Sequence, residues 1–241
     1  MSEPCLAGHI AVVAGATSDV GRAVCGSLAR AGARLCLLGR DAGTLHALAK
    51  DVSTDAWPYA LDLTLDTSIG DLAARLVRDL GQVDILIHSA GAFEMGPHER
   101  APVAHLDHQY RTNVRGPYLL TQALLPLLRA RRGQIVFVNS TVGLEARAGV
   151  GQYASTQHAL RAVADALRAE VNPDGVRVLT VYLGRTATAR QARIFQLEKR
   201  PYSPELLIQP TDVAEMILAA LELPRTAEVT EIRMRPLVKS Y

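Results

Sequence analysis

Several residue types are scarce in this chain, and each scarcity excludes something. Only three of the 241 residues are cysteine (Cys5, Cys25 and Cys36), with neither a C-x-x-C motif nor a metal-binding spacing. A reducing, cytoplasmic compartment is therefore expected. No apolar run approaches the length of a membrane span, and the polar start Met1–Pro4 is unlike a signal peptide. The formal net charge of +2 gives no reason to expect nucleic acid or a membrane surface as a partner.

Hydrophobic residues are plentiful, at 49% of the chain, and their arrangement predicts the fold. Apolar runs predict strands at 9–14, 34–38, 83–88, 134–139 and 176–182, with a short further strand before Asp62. Amphipathic patterns predict helices at about 20–31, 41–50, 66–80, 101–131, 151–171 and 211–222. This alternation predicts one α/β domain over residues 1–241, a Rossmann-type doubly wound parallel sheet with helices on both faces. The irregular stretch 183–210 is expected to form a lid or substrate loop.

The junction of the first strand and first helix carries a glycine turn, Ala14 to Arg22. Gly15 would permit a tight turn, and Gly21 would permit close packing of helix against strand. The helix N-terminus that follows is suited to a phosphate group. This position in the chain predicts a nucleotide site.

Three polar residues follow in a recognisable order. Asn113 lies in the long helical stretch, Ser140 ends the fifth strand, and Tyr153 comes thirteen residues later at the start of a helix. With the glycine turn, this order and spacing resemble the short-chain dehydrogenase/reductase family over nearly the whole chain. The resemblance implies that Ser140 binds the substrate oxygen, that Tyr153 passes a proton, and that Asn113 supports a water-linked proton relay.

The chain departs from the family pattern at Gln157, where a lysine normally follows the tyrosine by four residues. Positions i and i+4 share a helix face, so Gln157 should lie beside Tyr153. No lysine occurs between Lys50 and Lys199, so a shift of register cannot supply one. A unit charge 4 to 5 Å away is worth roughly 3 kcal/mol at an effective dielectric constant of 20. Gln157 carries no charge, so Tyr153, with an ordinary pKa near 10, is expected to be a weakened acid and base.

The end of the second strand indicates the cofactor. An acidic residue there would bind the ribose 2′-hydroxyl of NAD, but the chain has Gly39 followed by Arg40. Arg40 offers a donor fork for a 2′-phosphate, so the resemblance implies NADP in preference to NAD. The other cofactor contacts that it implies are Gly15, Thr17, Ser18, Asp19, Val20 and Gly21 in the turn; Asp62 and Leu63; Ser89, Ala90 and Gly91; Tyr153 and Gln157; and Gly184, Thr186 and Thr188.

Further departures lie at Asp19, where the family has a glycine, and at His88 and Ser89, where it has two asparagines. An aspartate at position 19 can cap its own helix, but its charge would oppose a nearby phosphate if it points inward. His88 is expected to pack or hydrogen-bond without a catalytic role. No metal is expected, because His98, His105 and His108 have no further ligand at a convincing spacing. Arg147, Arg185 and Glu145 are candidates to meet polar groups of a substrate.

The sequence thus predicts an NADP-dependent oxidoreductase that interconverts a small-molecule carbonyl and alcohol at an atypical Asn-Ser-Tyr-Gln site. Two alternatives remain open: an NADP-binding protein with impaired catalysis, and a non-redox lyase or isomerase on the same scaffold. The resemblance also implies a homodimer or homotetramer, because its members pack the helices at 101–131 and 151–171 against their copies.

Overall fold

The computed structural model describes residues 5–238, and the segment Met1–Pro4 lies outside them. Its central layer is a sheet of seven parallel strands in the order β3-β2-β1-β4-β5-β6-β7. The strands are β1 Ile10–Ala14, β2 Arg34–Gly39, β3 Ala56–Ala60, β4 Ile85–His88, β5 Gln134–Ser140, β6 Arg177–Leu183 and β7 Glu231–Met234. The predicted fold class is confirmed.

Eight α-helices connect and cover the strands. They are α1 Asp19–Arg30, α2 Ala42–Asp51, α3 Asp66–Leu80, α4 Val103–Tyr110, α5 Gly116–Ala130, α6 Gly151–Val171, α7 Ala189–Leu197 and α8 Pro210–Glu222. Successive strand residues point to opposite faces, so Ala11 and Val13 join one core with α1, α2 and α8. Val12 and Ala14 join a second core with α3, α5 and α6. Both faces of the sheet are therefore covered.

The helical stretch predicted at about 101–131 is present from Val103 to Ala130, but its π turn was not predicted. A π-helical turn, Arg111–Arg115, separates α4 from α5. Single π turns insert an extra residue without breaking the apolar pattern, so periodicity does not reveal them. The turn matters for function because Asn113 lies within it.

The direction of strand order reverses between β1 and β4, and ligands bind at such switch points beyond the carboxyl ends of the strands. The lid predicted at 183–210 crosses this edge as α7 and a short 3-10 turn, Pro204–Leu206. A β-bridge between Thr186 and Ile208 joins the two ends of this segment.

Candidate active site

The glycine turn after β1 is compact for identifiable steric reasons. Gly15 has φ = 83°, and a Cβ added there would lie 2.4 Å from the backbone nitrogen of Ala90. A Cβ on Gly21 would lie 2.1 Å from the Gly15 carbonyl oxygen. The Ser18 hydroxyl donates to that same oxygen (2.8 Å) and accepts from the Gly21 amide (3.0 Å). The turn thus leaves the N-terminus of α1 facing the cleft, as a phosphate site requires.

Of the two roles considered for Asp19, the structure does not show the cap of its own helix. Ser18 occupies the N-cap of α1, and the Asp19 carboxylate accepts a hydrogen bond from the Ala189 amide (2.9 Å). Ala189 is the first residue of α7, where amides have no partner within the helix and favour a carboxylate. Asp19 therefore ties the lid helix to the nucleotide turn.

A cavity of about 900 Å³ lies over the carboxyl ends of β1 to β4. Arg40 lines it at the end of β2, with its side chain exposed. The Thr64 amide and hydroxyl bond the Asp62 carboxylate (2.9 and 2.8 Å) and, with the Arg40 charge, hold its pKa below the ordinary value against burial. The predicted cofactor residues that line this cavity are Gly15, Thr17, Ser18, Arg40, Asp62, Leu63, Ser89, Ala90 and Gly91.

The two residues after β4 that replace asparagines have structural partners. The Ser89 hydroxyl donates to the Ala14 carbonyl (2.9 Å), joining the ends of β4 and β1. His88 is buried, stacks on Phe137 and shares a hydrogen bond with the Thr121 hydroxyl (2.8 Å). Burial lowers the pKa of His88 to about 3, so its ring is neutral at physiological pH. His88 also lines neither of the two cavities of the site.

A second cavity, of about 640 Å³, adjoins the first and contains the predicted catalytic residues. Ser140 enters it from the end of β5, and Tyr153 and Gln157 enter it from the first turns of α6. Phe93 packs its ring against Tyr153, with 4.9 Å between centroids. Burial raises the pKa of the Tyr153 phenol, whereas the Arg190 charge and hydrogen bonding with Ser140 act to lower it.

Asn113 lines the same cavity, yet its side-chain amide is committed to the protein. Its Oδ1 accepts from the Ala92 amide (2.7 Å), and its Nδ2 donates to the Ala92 carbonyl (2.9 Å). Nδ2 also donates to the hydroxyl of Thr156 (3.0 Å), which lies between Tyr153 and Gln157 on α6. Asn113 thus fixes the loop after β4 against the helix that carries the tyrosine.

Gln157 lies on α6 one turn after Tyr153, as predicted, and is only 4% exposed. Its backbone carbonyl oxygen accepts a hydrogen bond from Asn139 Nδ2 (3.0 Å). Gly143 also lies close, because a Cβ added there would be 3.0 Å from the Gln157 Cβ. Of the described lysines, Lys50 and Lys199 line neither cavity. No ammonium group in the described part of the chain therefore replaces the missing lysine.

The remaining predicted cofactor residues line the second cavity: Asp19, Val20, Gly184, Thr186 and Thr188. Gly21 lines neither cavity and acts only through the shape of the turn. The Thr188 hydroxyl accepts from the Gln191 amide (3.1 Å) and so caps α7, leaving its proton free to donate.

The three residues named as candidates to meet polar groups of a substrate, Glu145, Arg147 and Arg185, all line the second cavity. Arg185, a candidate for substrate contact, is paired with Glu198 (2.7 Å) and lies over the Phe195 ring. Arg190 was not singled out, because an exposed arginine carries no distinguishing pattern. Its guanidinium donates to the Gly91 carbonyl and lines both cavities.

Comparison with known proteins identifies the family. A model of the short chain dehydrogenase family matches residues 9–199. An uncharacterized oxidoreductase of Staphylococcus epidermidis is 28% identical over 228 residues, which are 94% of this chain and 96% of the relative. The chain belongs to the short-chain dehydrogenase family and is an oxidoreductase by that membership.

Solved structures agree with this assignment. A short chain dehydrogenase from Shigella flexneri 2a, complexed with NADP, has a TM-score of 0.87 and 28% identity, covering 96% of this chain and 99% of that one. A short chain dehydrogenase from Escherichia coli CFT073, complexed with NADPH, has a TM-score of 0.87 and 27% identity, covering 97% and 99%.

The described residues also bear on metal binding and on membrane insertion. Between residues 5 and 238, no group of three or more His, Cys, Asp and Glu side chains is placed to hold a metal ion. No helix in that same range combines the length and apolar character needed to cross a bilayer.

Proposed function

We propose that the protein is an NADP(H)-dependent oxidoreductase that interconverts a small-molecule carbonyl and its alcohol. The observation that carries this proposal is the meeting of the two cavities: Ser140 and Tyr153 face a space that shares Ser89, Ala90 and Gly91 with the nucleotide cleft. A carbonyl held by these two hydroxyls would lie next to the reactive end of a dinucleotide in the cleft.

The residues of the cleft suit a dinucleotide with a 2′-phosphate. The turn at Gly15 leaves no room for a side chain, so backbone amides at the start of α1 can approach a pyrophosphate closely. A Cβ on Gly39 would lie 3.3 Å from Leu45 Cδ2, so an acidic side chain there would be crowded. Arg40 supplies a charged donor fork at the adjoining position. The NADP and NADPH complexes of the two solved neighbours support this choice over NAD.

The protein's own contribution to chemistry is at the proton. When bound, the nicotinamide supplies or accepts the hydride. Ser140 would donate a hydrogen bond to the substrate oxygen, and Tyr153 would give or take the proton at that oxygen. Asn113 would keep Tyr153 in place through Thr156, which its amide bonds directly. Gln157 would be able to hydrogen-bond a ribose hydroxyl but not to stabilise tyrosinate by charge.

One observation favours a second candidate, an NADP-binding protein with impaired catalysis. Gln157 is buried and neutral where an activating charge would be most effective, and burial opposes ionisation of Tyr153. Calorimetric titration with NADPH and NADH, followed by a panel of aldehydes and ketones, separates the two. Tighter NADPH binding with turnover supports the oxidoreductase, whereas NADPH binding without turnover on any carbonyl supports the second candidate.

Assembly and compartment complete the proposal. Val103, Tyr110 and Tyr118 are 70%, 48% and 51% exposed on α4 and α5, which suits a contact between copies of the chain in a homodimer or homotetramer. Cys5, Cys25 and Cys36 are all free thiols, which suits the reducing cytoplasm.

A further inference from the structure

On its own helix, the phenol of Tyr153 lacks the neighbouring charge that would make it a useful acid or base. Gln157, one turn along α6, is neutral, and Ser140 offers only a hydroxyl. Among residues 5–238, the basic side chains that line the cavity of Tyr153 are arginines from other elements, Arg147, Arg185 and Arg190.

Most of these charges are paired or exposed at the edge. On the lid, Arg185 and Glu198 neutralise each other across 2.7 Å. On the loop after β5, Glu145 and Arg147 carry opposite charges and are both exposed. At the start of α1, the carboxylate of Asp19 is bound to the Ala189 amide.

Arg190 is exposed as well, but its position and its partners differ from those of the other charges. It is the only charged side chain among residues 5–238 that lines both cavities, and it forms no salt bridge with any acidic residue in that range. Its guanidinium donates to the Gly91 carbonyl. A Cβ added to Gly91 would lie 3.6 Å from Arg190 Nη1 and 3.4 Å from Asn113 Oδ1, so both side chains approach Gly91, and both line the cavity that contains Tyr153.

We propose that Arg190, reaching across from the lid, supplies Tyr153 with the positive charge that a lysine at position 157 would otherwise provide. The part of Arg190 in catalysis rests on the proposed function, but its effect on the pKa of Tyr153 does not. Arg190 acts through the phenol and is therefore a positioning residue. Its charge opposes the rise that burial imposes on the pKa of Tyr153.

The first test uses the ligand-free protein, so it does not depend on turnover. Tyrosine ionisation is followed by NMR of ¹³Cζ-labelled tyrosine, with the Tyr153 signal assigned by its loss in Tyr153→Phe. Arg190→Gln should raise the apparent pKa of Tyr153 by about half a unit or more. The expected shift is smaller than that of a close buried pair because Arg190 is exposed and solvent screens its charge. Arg190→Lys should retain most of the effect.

Arg193→Gln is the matched control. Arg193 is exposed on the same helix, one turn further on, and lines only the nucleotide cavity. It should leave the Tyr153 titration unchanged. A Tyr153 pKa that does not move in Arg190→Gln, or that moves equally in Arg193→Gln, would overturn the proposal.

The second test uses turnover in both directions, alcohol oxidation with NADP⁺ and carbonyl reduction with NADPH. Arg190→Gln should move the acidic limb of the pH profile for alcohol oxidation upward, and adding Gln157→Lys should move it back. If Arg190 only binds a cofactor phosphate, Arg190→Gln should raise KM for NADPH and leave the acidic limb of the pH profile in place. That result would refute the inference. If no carbonyl is turned over by any variant, the proposed function fails, while the titration of the ligand-free protein still decides the role of Arg190.

Discussion

Replacing Gln157 with lysine tests the account of this site most directly. Gln157 is 4% exposed and one helical turn from Tyr153, so an ammonium group there would be close to the phenol and poorly screened. At 4 to 5 Å and an effective dielectric constant of 20, the interaction is worth roughly 3 kcal/mol, or about two orders of magnitude in rate. Proton transfer is only partial in the transition state, and Arg190 already contributes, so we expect a gain of about ten-fold in carbonyl reduction by NADPH.

The assay is the initial rate of NADPH consumption with a carbonyl substrate, together with the pH profile of the reverse oxidation. Gln157→Lys should be faster, and its acidic limb should move to lower pH because tyrosinate forms more readily. Gln157→Met is the matched control, because it has similar length and no charge, and it should not be faster than the unmutated protein. Equal rates in the lysine and methionine variants would refute the reasoning. So would a lysine variant that is faster without any movement of the limb.

Three other predictions follow from the structure. Arg40→Ala should remove most of the preference for NADPH over NADH, because a charge-assisted contact is worth about 1.5 to 3 kcal/mol; equal affinities in the unmutated protein would contradict this in calorimetry. In the folded protein, buried His88 has a pKa of about 3, against an ordinary value of 6.5 in the unfolded chain. As the pH falls below 6.5, the unfolded chain therefore binds a proton that the folded protein does not, and the free energy of unfolding decreases until the pH reaches about 3. The loss between pH 7 and pH 5 should be about 2 kcal/mol in urea unfolding and should be absent in His88→Asn; an equal loss in that variant would assign the effect elsewhere. Light scattering at micromolar concentration should show a dimer or tetramer, and Tyr118→Asp should shift it toward monomer; a monomer in the unmutated protein would count against the assembly.

The fold was largely predictable because it depends on periodicity. Buried parallel strands are nearly continuous apolar runs, and the helices between them repeat their apolar residues every three or four positions. The edge strand β7, Glu231–Met234, was missed because it has only four residues, two of them charged. The π turn at Asn113 was missed because it leaves the apolar pattern of the surrounding helices intact.

The candidate site, too, was predictable from the sequence in part only. Ser140, Tyr153 and the glycine turn were placed by order and spacing along the chain, which a sequence shows directly. The contacts of the lid were not, because Asp19 and Ala189 are 170 positions apart and their hydrogen bond depends on how the lid packs. Gly91 and Arg190 are likewise 99 positions apart. Sequence reasoning recognised Asp19 and Gln157 as departures from a pattern but could not see what lies opposite each of them.

These two departures are connected through the lid, and the connection can be tested. Asp19 accepts a hydrogen bond from Ala189, the residue immediately before Arg190, so it fixes the start of α7 at the point where Arg190 enters the cleft. Without that bond the start of α7 loses a charge-assisted contact, and hydrogen exchange of the amides of 189–197 should become faster in Asp19→Ala. Asp41→Ala is the matched control, since the Asp41 carboxylate also accepts a hydrogen bond from an amide in the first turn of a helix, that of Thr44 on α2, and not from one on α7.

If Arg190 acts on Tyr153 only from a fixed lid, the two substitutions should not be additive. Asp19→Ala alone should raise the Tyr153 pKa by part of the shift seen in Arg190→Gln, although it removes a negative charge, which would by itself lower that pKa. Adding it to Arg190→Gln should raise the pKa no further, because the charge that the lid delivers is already gone. A Tyr153 pKa that falls in Asp19→Ala would mean that its carboxylate acts on the phenol directly, and the lid would then have no part in tuning this tyrosine.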